Sequence, residues 1–319
     1  MSSVQVIGAG AWGTALAMQA VRAGAHVRLW ARDPDRAAAM ARTRHNPRLP
    51  GMKLPATLEI TPIWAPADIV VLAMPMQALR SLAPDLPWGL LVACCKGVEA
   101  TTHKLPLEVL AETLPGRPAC VLTGPNFAAE IARGLPAAAV VAGTDADART
   151  TVMAALGTAD FRLYGNDDPI GAQVGGAAKN VVAIAAGAVI GAGLGENARA
   201  ALVTRGLAEI ARLATALGGR AETVAGLSGL GDLLLTCTGP ASRNFSLGLA
   251  LGQGRSMAEI LAARESVTEG VATAPALVAR AQACGVDLPI ATAVAAVVAG
   301  QVSLREAMQG LLARQRRDE

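Results

Sequence analysis

The chain has 319 residues, of which 52% are hydrophobic, 17% are charged and only 3% are aromatic. This composition excludes a disordered chain and is sufficient for two domains whose cores are built from aliphatic side chains. The formal net charge of +3 is too small to indicate binding to nucleic acid or to an anionic membrane surface.

The chain begins with a short β-branched run that leads into three spaced glycines. Residues Val4–Ile7 precede Gly8, Gly10 and Gly13, and an apolar helical pattern follows at Thr14–Val21. In such a turn the first glycine permits a tight bend, the second lets the backbone approach a pyrophosphate, and the third allows close helix packing. The pattern predicts a dinucleotide-binding turn, with a purely structural glycine-rich turn as the alternative.

A second strand is predicted at His26–Trp30, and Arg32 and Asp33 follow it. An acidic residue at the end of this strand commonly holds the adenosine ribose of NAD, whereas an arginine can pair with the 2′-phosphate of NADP. Arg32 therefore favours NADP, or the use of both cofactors. The alternative is an exposed arginine that contacts no ligand.

Continuous apolar runs predict further strands that are buried on both faces of a parallel sheet. These runs are residues 68–73, 90–95, 119–123 and 137–142, with a last strand at 160–164. Because strands and helices alternate, the first half of the chain is predicted to be an α/β, doubly wound sheet of the Rossmann type. Ligands bind beyond the carboxyl ends of such strands, so Lys96 and the segment Thr123–Ala128 are candidate contacts. For Lys96 a solvated strand end is the alternative.

Beyond residue 166 only helical patterns broken by glycines are found, so we place a domain boundary there. Residues 1–166 are predicted to form the dinucleotide-binding domain, and residues 167–319 an all-helical substrate and catalytic domain. The uncharged run Val181–Gly195 is shorter than the roughly 18–20 residues of a membrane span, so we expect a buried helix and no membrane insertion. No secretory signal is expected, because the first strand begins almost at the N-terminus.

The cysteines match no zinc pattern, so we expect reduced, buried thiols of a cytosolic protein and no metal site. They stand at positions 94, 95, 120, 237 and 284.

Three features of the helical half carry chemistry. Lys179 and Asn180 interrupt an apolar helix, and a buried lysine without a partner has a lowered pKa, as a general base requires. Asp232 and Thr236 are four residues apart on one helix face, where the carboxylate could pair with Lys179. Alternatively, Lys179 reaches the surface and Asp232 only interacts with a helix dipole.

The third feature is the segment Ser242–Asn244, which opens a predicted helix. Ser242 is a plausible N-cap, and an arginine and an asparagine in the first turn would suit a phosphate group. A capped surface helix with an exposed arginine is the alternative.

In combination and in order, these motifs resemble those of the bacterial NAD(P)-dependent glycerol-3-phosphate dehydrogenases, and the resemblance covers essentially the whole chain. The segments that carry it are residues 6–17, 96–97, 123–128, 175–180, 204–209, 229–238, 242–244 and 269–270.

The resemblance implies roles for individual residues. Lys179 is similar to the family's proton acceptor, and Asp232 is expected to set its charge state and position. The implied substrate contacts are Lys96, Gly124, Asp232, Ser242, Arg243 and Asn244, and the predicted substrate site also includes Asn126, Asn180 and Thr236. The implied cofactor contacts are Ala11, Trp12, Arg32, Lys96, Ala128, Arg243, Val267 and Glu269, in addition to Gly8, Gly10 and Gly13. Asn126 stands where the family more often has serine or threonine.

The family reduces dihydroxyacetone phosphate to sn-glycerol 3-phosphate for phospholipid synthesis, in the cytoplasm and usually as a homodimer. We therefore expect NADP or NAD as the cofactor and a small phosphorylated substrate. Two alternatives are another two-domain dehydrogenase with a lysine base, similar to ketopantoate reductase, and a non-catalytic NADP-binding sensor.

Overall fold

The computed structural model describes residues 1–263 and 268–313, and these residues form two compact units. Unit 1 comprises Met1–Lys96 and Leu105–Gln173, and unit 2 comprises Gly97–Lys104 and Val174–Glu319. The predicted strand-and-helix half and the predicted helical half are both found, and the fold class predicted from the sequence is confirmed.

Unit 1 contains one eight-stranded sheet with the strand order β3-β2-β1-β4-β5-β6-β7-β8. Its strands are β1 (Ser3–Ile7), β2 (His26–Trp30), β3 (Glu59–Thr61), β4 (Ile69–Leu72), β5 (Leu90–Ala93), β6 (Ala119–Thr123), β7 (Ala137–Ala142) and β8 (Phe161–Asn166). The strand order reverses between β1 and β4. These two strands are paired in parallel, with Val4 opposite Ile69. This reversal creates a crevice at the carboxyl ends of the strands, where ligands of such sheets bind.

The expectation that all strands run parallel is wrong at β7, which is antiparallel to β6 with Leu122 opposite Val141. The connecting helix α5 (Ala128–Arg133) has six residues. It rises about 9 Å, too little to carry the chain back along the sheet for a parallel crossover. The apolar run of β7 resembles that of its neighbours, so periodicity could not reveal the direction. The short edge strand β3 was not predicted either.

The other helices of unit 1 cover the sheet and bury its aliphatic side chains. They are α1 (Ala11–Arg22), α2 (Pro34–Thr43), α3 (Leu79–Leu82), α4 (Pro106–Thr113) and α6 (Ala146–Leu156). Val6 in β1, Leu16 in α1 and Val71 in β4 belong to one core whose members are almost completely buried. The core is aliphatic as the composition predicts, with Phe161 as its largest member.

Among the described residues of unit 2, the regular secondary structure is entirely helical, and the segment Gly97–Lys104 is a loop. Its helices are α7 (Pro169–Gly191, which begins in unit 1), α8 (Gly195–Ala216), α9 (Ala221–Ala225), α10 (Asp232–Cys237), α11 (Arg243–Gly252), α12 (Met257–Ala262), α13 (Glu269–Ala283), α14 (Pro289–Val298) and α15 (Leu304–Leu312). A π-helical turn, Leu227–Gly231, leads directly into α10.

Helix α7 is longer than the uncharged run seen in the sequence, since it begins before Lys179. By length and composition it could cross a membrane, but 89% of its most apolar window is buried inside the protein. This burial agrees with the expectation of a core helix.

The five cysteines are free thiols. Cys94 and Cys95 follow β5 rather than lie within it, and burial raises the pKa of Cys120 to about 11. Cys284 is exposed, so the expectation that every thiol is buried is wrong at this position. It follows α13, whose apolar periodicity ends one residue before it.

Candidate active site

The three glycines of the first turn have three different environments. Gly8 has a φ of +118°, and a Cβ there would lie 2.6 Å from the carbonyl oxygen of Ala73. A Cβ on Gly13 would lie 2.0 Å from the carbonyl oxygen of Gly8, so α1 packs directly on the turn. Gly10, in contrast, has open space where its Cβ would be. The tight bend at Gly8 and the close helix packing at Gly13 agree with the structural roles predicted for these two glycines, and the approach of a pyrophosphate to Gly10 stays a prediction.

A polar cluster under this turn was missed in the sequence. The side chains of Arg36 and Asn46 both donate hydrogen bonds to the carbonyl oxygen of Ala9, and Asn46 also donates to Thr14 Oγ1 at 2.6 Å. Burial lowers the pKa of Arg36, and the nearby positive charge of Arg48 lowers it further. Arg36 and Asn46 have no periodic signal, because the contact depends on how α2 and its following loop fold back onto the turn.

Several polar atoms near the carboxyl ends of β1 and β6 fit a bound ligand. Among the described residues, the side-chain nitrogen of Trp12, the hydroxyl of Thr123 and both polar atoms of Asn126 are buried without a hydrogen-bond partner. Buried polar groups are normally satisfied, so unpaired ones indicate atoms that a ligand or water completes. Together with the space beside Gly10, these atoms fit a dinucleotide.

Lys96 and Gly124, two of the predicted substrate contacts, meet in unit 1. The Nζ atom of Lys96 donates a hydrogen bond to the carbonyl oxygen of Gly124 at 3.2 Å. Gly124 has a φ of +142° and lies against the Cα atom of Ala139, which leaves no room for a side chain. This hydrogen bond therefore joins the segments that follow β5 and β6, at the carboxyl ends of the strands, where ligands are expected.

The predicted cofactor residues Ala11 and Ala128 are the first residues of α1 and α5, and Glu269 is the first residue of α13. Arg32 is exposed after β2, and Asp33 caps α2 by accepting hydrogen bonds from the backbone N–H groups of Asp35 and Arg36. Val267, which was also predicted to contact the cofactor, lies outside the described residues.

Glycines in unit 2 bring α7 close to the π turn before α10. A Cβ on Gly175 would lie 2.7 Å from the carbonyl oxygen of Ser228 and 3.0 Å from the Cα atom of Gly229. Lys179 lies one helical turn after Gly175, on the same face of α7. This face therefore carries the lysine to Asp232, which begins α10 directly after the π turn.

Lys179 is buried and held by two side chains of α10. Its Nζ atom donates hydrogen bonds to Asp232 Oδ1 and, at 2.9 Å, to Thr236 Oγ1. The Thr236 hydroxyl in turn donates to the Asp232 carbonyl oxygen at 2.6 Å. The exposed fractions are 8% for Lys179 and 1% for Asp232. The alternative that Lys179 reaches the surface is thus wrong, and the carboxylate balances its charge.

Cys237 is close to this cluster but is not a candidate nucleophile. Burial raises its pKa to about 12, even though the positive charges of Lys179 and Arg199 favour the thiolate. The thiol therefore stays protonated at neutral pH.

The predicted phosphate segment opens α11. Ser242 is its N-cap and accepts a hydrogen bond from the backbone N–H of Phe245 at 3.2 Å, as predicted. Arg243 is exposed, whereas Asn244 is buried. The Asn244 side chain is engaged within unit 2, where it contacts Asn180 and the backbone of Gly270.

No group of three or more His, Cys, Asp or Glu side chains that could hold a metal ion occurs among residues 1–263 and 268–313. The polar clusters of the two units instead provide ammonium, carboxylate, hydroxyl and amide groups.

Both halves of the chain match family models. Residues 3–149 match the NAD-dependent glycerol-3-phosphate dehydrogenase N-terminus, and residues 168–309 match the corresponding C-terminus. The glycerol-3-phosphate dehydrogenase [NAD(P)+] of Acidiphilium cryptum is 58% identical over 98% of this chain and 97% of its own length. That of Gluconobacter oxydans is 54% identical over the same shares of the two chains.

A solved structure is similar over almost the whole chain. The crystal structure of glycerol-3-phosphate dehydrogenase from Coxiella burnetii has a TM-score of 0.91 at 35% identity and covers 98% of this chain and 99% of its own. Two family models and relatives above 50% identity lead to one conclusion, which is that this chain belongs to the NAD-dependent glycerol-3-phosphate dehydrogenase family.

Proposed function

We propose that this protein is an NAD(P)-dependent sn-glycerol-3-phosphate dehydrogenase that reduces dihydroxyacetone phosphate to sn-glycerol 3-phosphate for glycerophospholipid synthesis. The observation that carries the mechanism is the buried Lys179, held between Asp232 and Thr236. The matching family models and relatives support the reaction and the cofactor. They favour this reaction over that of a ketopantoate reductase and over a cofactor sensor without catalysis.

Bound NADPH or NADH supplies the hydride that reduces C2 of the substrate. Lys179 is the general acid, which donates its proton to the oxygen on C2 as the alkoxide develops. Asp232 keeps the lysine protonated before the reaction, since its carboxylate balances the ammonium charge in a buried place. Thr236 fixes the position of Nζ, because its hydroxyl accepts from Nζ and donates to the backbone of α10.

The substrate contacts are proposed at positions with suitable chemistry. Lys96 and the exposed Arg243 supply positive charge for the phosphate, and the N-terminus of α11 adds backbone N–H groups. Asn126 supplies an amide whose polar atoms have no partner among the described residues. The cofactor contacts are proposed at the turn Gly8–Gly13 and at Trp12, Arg32, Ala128 and Glu269. We further propose a homodimer in the cytoplasm, which size-exclusion chromatography with light scattering and cell fractionation would test.

The replacement Lys179→Met tests the mechanism. Methionine keeps the helix and much of the side-chain volume but removes the proton donor and its charge. We expect kcat for dihydroxyacetone phosphate to fall by about 10²–10⁴-fold, the usual contribution of general acid–base catalysis, while NADPH binding is retained. The decrease in NADPH absorbance measures the rate, and cofactor fluorescence measures binding.

Lys53→Met is the matched control, because Lys53 is an exposed lysine far along the chain from the cluster. It should leave kcat unchanged. A Lys179→Met enzyme with the kcat of the parent protein would contradict the assignment of Lys179. Absence of turnover in the parent protein with either cofactor would contradict the function itself.

A further inference from the structure

The carbonyl group of Ala9, in the glycine-rich turn of unit 1, is held by two side chains from outside the turn. Asn46 Nδ2 donates to the Ala9 oxygen at 3.2 Å, and Arg36 Nη2 donates to the same oxygen. This oxygen precedes the hydrogen bonds of α1, which start from the Thr14 N–H to the carbonyl oxygen of Gly10 at 3.0 Å. The two side chains therefore satisfy a buried carbonyl that the helix does not use.

Asn46 uses its whole hydrogen-bonding capacity inside the protein, where its exposed fraction is 1%. Its Nδ2 group donates to the Ala9 oxygen and, at 2.6 Å, to Thr14 Oγ1. Its Oδ1 atom accepts from Arg36 Nη2 at 3.0 Å and from the backbone N–H of Arg48 at 3.1 Å. Because a backbone N–H and a guanidinium can only donate, Oδ1 must face them and Nδ2 must face Ala9. The amide of Asn46 thus has one orientation.

The loop that carries Asn46 is held on both sides of this residue. Before it, the Arg44 side chain donates to the carbonyl oxygens of Leu58 at 2.7 Å and Ala56 at 3.1 Å. After it, the backbone N–H of Leu49 donates to the carbonyl oxygen of Asn46 at 2.9 Å, and the Leu49 side chain is buried. Asn46 therefore reaches the turn from a fixed support, which precise placement of a binding group requires.

Holding the Ala9 carbonyl sets the plane of the peptide between Ala9 and Gly10. Among the described residues every peptide bond is trans, so the Gly10 N–H points in the direction opposite to this carbonyl, away from Arg36 and Asn46. Gly10 is the N-cap of α1 and makes no side-chain cap hydrogen bond, and a Cβ on it would meet nothing within 4 Å. The start of α1 therefore has N–H groups that its N-cap leaves uncapped, and phosphate groups bind at such helix starts.

We propose that Asn46 and Arg36 are positioning residues for the cofactor's pyrophosphate, which hold the Ala9–Gly10 peptide so that the turn is preformed before the cofactor binds. Both act through the Ala9 carbonyl. The pyrophosphate is common to NADPH and NADH, so this pair sets the affinity for both cofactors, whereas Arg32 is proposed to read the 2′-phosphate of one. The inference concerns cofactor binding and does not depend on which substrate is reduced.

The isosteric change Asn46→Asp tests the inference in the full-length protein. Aspartate keeps an acceptor for Arg36 and Arg48 but places an oxygen opposite the Ala9 carbonyl, so the two oxygens repel each other and the peptide must turn. We expect the dissociation constants of NADPH, NADH and ADP-ribose to rise by the same factor, about five- to thirtyfold, as the loss of one or two hydrogen bonds does. Isothermal titration calorimetry measures all three, and ADP-ribose carries the pyrophosphate without the nicotinamide.

The turnover number separates positioning of the cofactor from damage to the reacting groups. At saturating NADPH, kcat of Asn46→Asp for dihydroxyacetone phosphate should stay within about twofold of the parent value, because the change weakens binding of the cofactor and not the chemical step. Thermal unfolding by circular dichroism checks that the variant is folded at the temperature of the titrations. A merely structural role would lower the melting temperature and leave the affinity of the folded protein unchanged.

Arg36→Met is the second variant, which decides the question if Asn46→Asp does not fold. It removes the other donor to the Ala9 oxygen and should weaken the three dinucleotides by about three- to tenfold, again by one factor. Arg42→Met is its control, because it removes an exposed arginine from the same helix. Asn197→Asp, at an exposed position of α8, is the control for the isosteric change. Both controls should leave the dissociation constants unchanged.

The outcomes distinguish this inference from the proposed function. Unchanged dissociation constants in the folded variants would overturn the inference, and so would a rise confined to NADPH, since the cluster would then read the 2′-phosphate. A parent protein that binds neither NADPH nor NADH would overturn it as well. A parent that binds both cofactors but does not reduce dihydroxyacetone phosphate would refute the proposed function, while a shared loss of affinity in the variants would still support this inference.

Discussion

Two charged residues stand side by side after β2, and their side chains have different surroundings. Asp33 caps α2, with its Oδ1 atom 3.0 Å from the backbone nitrogen of Asp35. Arg32 is exposed and does not cap the helix. A capping carboxylate is less available for a ribose hydroxyl, so we expect Arg32, rather than Asp33, to distinguish the two cofactors.

The replacement Arg32→Ala should therefore change the cofactor preference. We expect the KM for NADPH to rise about tenfold to a hundredfold, the effect of losing a charge-assisted hydrogen bond, while the KM for NADH changes little. Initial rates with each cofactor at saturating dihydroxyacetone phosphate provide the comparison. Arg42→Ala, an exposed arginine on α2, should alter neither value. Equal increases for NADPH and NADH would show that Arg32 does not read the 2′-phosphate.

Helices α7 and α11 approach each other through glycines on both sides. A Cβ on Gly187 would lie 2.0 Å from the carbonyl oxygen of Phe245, and a Cβ on Gly248 would lie 1.9 Å from that of Ile184. Gly191 and Gly252 continue the same contact one turn further along each helix. This backbone-to-backbone packing fixes the position of α11, which carries Arg243 and Asn244 in its first turn.

The replacement Gly248→Ala should destabilise the protein, although alanine is the better helix former. The added methyl group meets a backbone oxygen that cannot move aside, and overpacking costs about 1–3 kcal/mol. Gly310→Ala is the matched control, since Gly310 in α15 has open space around it and the change should stabilise by up to about 1 kcal/mol. Urea unfolding measures both free energies. A Gly248→Ala protein as stable as the Gly310→Ala protein would contradict the close packing.

The free energy of unfolding of the protein should depend on pH through one buried carboxylate. Glu209 in α8 accepts hydrogen bonds from the backbone N–H groups of Ile290 and Ala291 at the start of α14, at 2.7 and 3.3 Å. Burial raises its pKa to about 7, and nearby Asp287 acts in the same direction, while the two N–H groups and Arg212 oppose the rise. Between the usual carboxyl pKa and this value, the folded protein binds a proton that the unfolded chain releases.

The free energy of unfolding should consequently fall as the pH rises from about 4.5 to about 7, and then stay level. The difference between these pKa values corresponds to a contribution of up to about 3 kcal/mol. Glutamine does not titrate, so Glu209→Gln should lack this pH-dependent loss of stability. The variant and the parent should therefore have similar free energies of unfolding at pH 5, and the variant should be more stable at pH 8. Urea unfolding at several pH values measures the difference. Glu222→Gln changes an exposed carboxyl on α9 and should show the same pH dependence of the free energy of unfolding as the parent. If Glu209→Gln also showed the parent's pH dependence, this role of Glu209 would be excluded.

The sequence by itself determined the features that depend on neighbouring residues. The turn Gly8–Gly13 could be predicted because its three glycines and the flanking strand and helix are contiguous in the chain. The N-cap Ser242 and the shared helix face of Asp232 and Thr236 were equally local. The helical half could be predicted because each helix carries its own apolar periodicity.

Only the tertiary structure decided the features that depend on distant parts of the chain. Periodicity is the same for parallel and antiparallel buried strands, so the direction of β7 followed from the short helix before it. An asparagine amide carries no sequence signal for its orientation, and that of Asn244 is set by a backbone N–H at Gly270, 26 residues away along the chain. The pairing of Lys179 with Asp232 spans 53 residues and required the close approach of α7 to the π turn. Sequence patterns report which residues share a face, but partners from separate elements are chosen by how those elements pack.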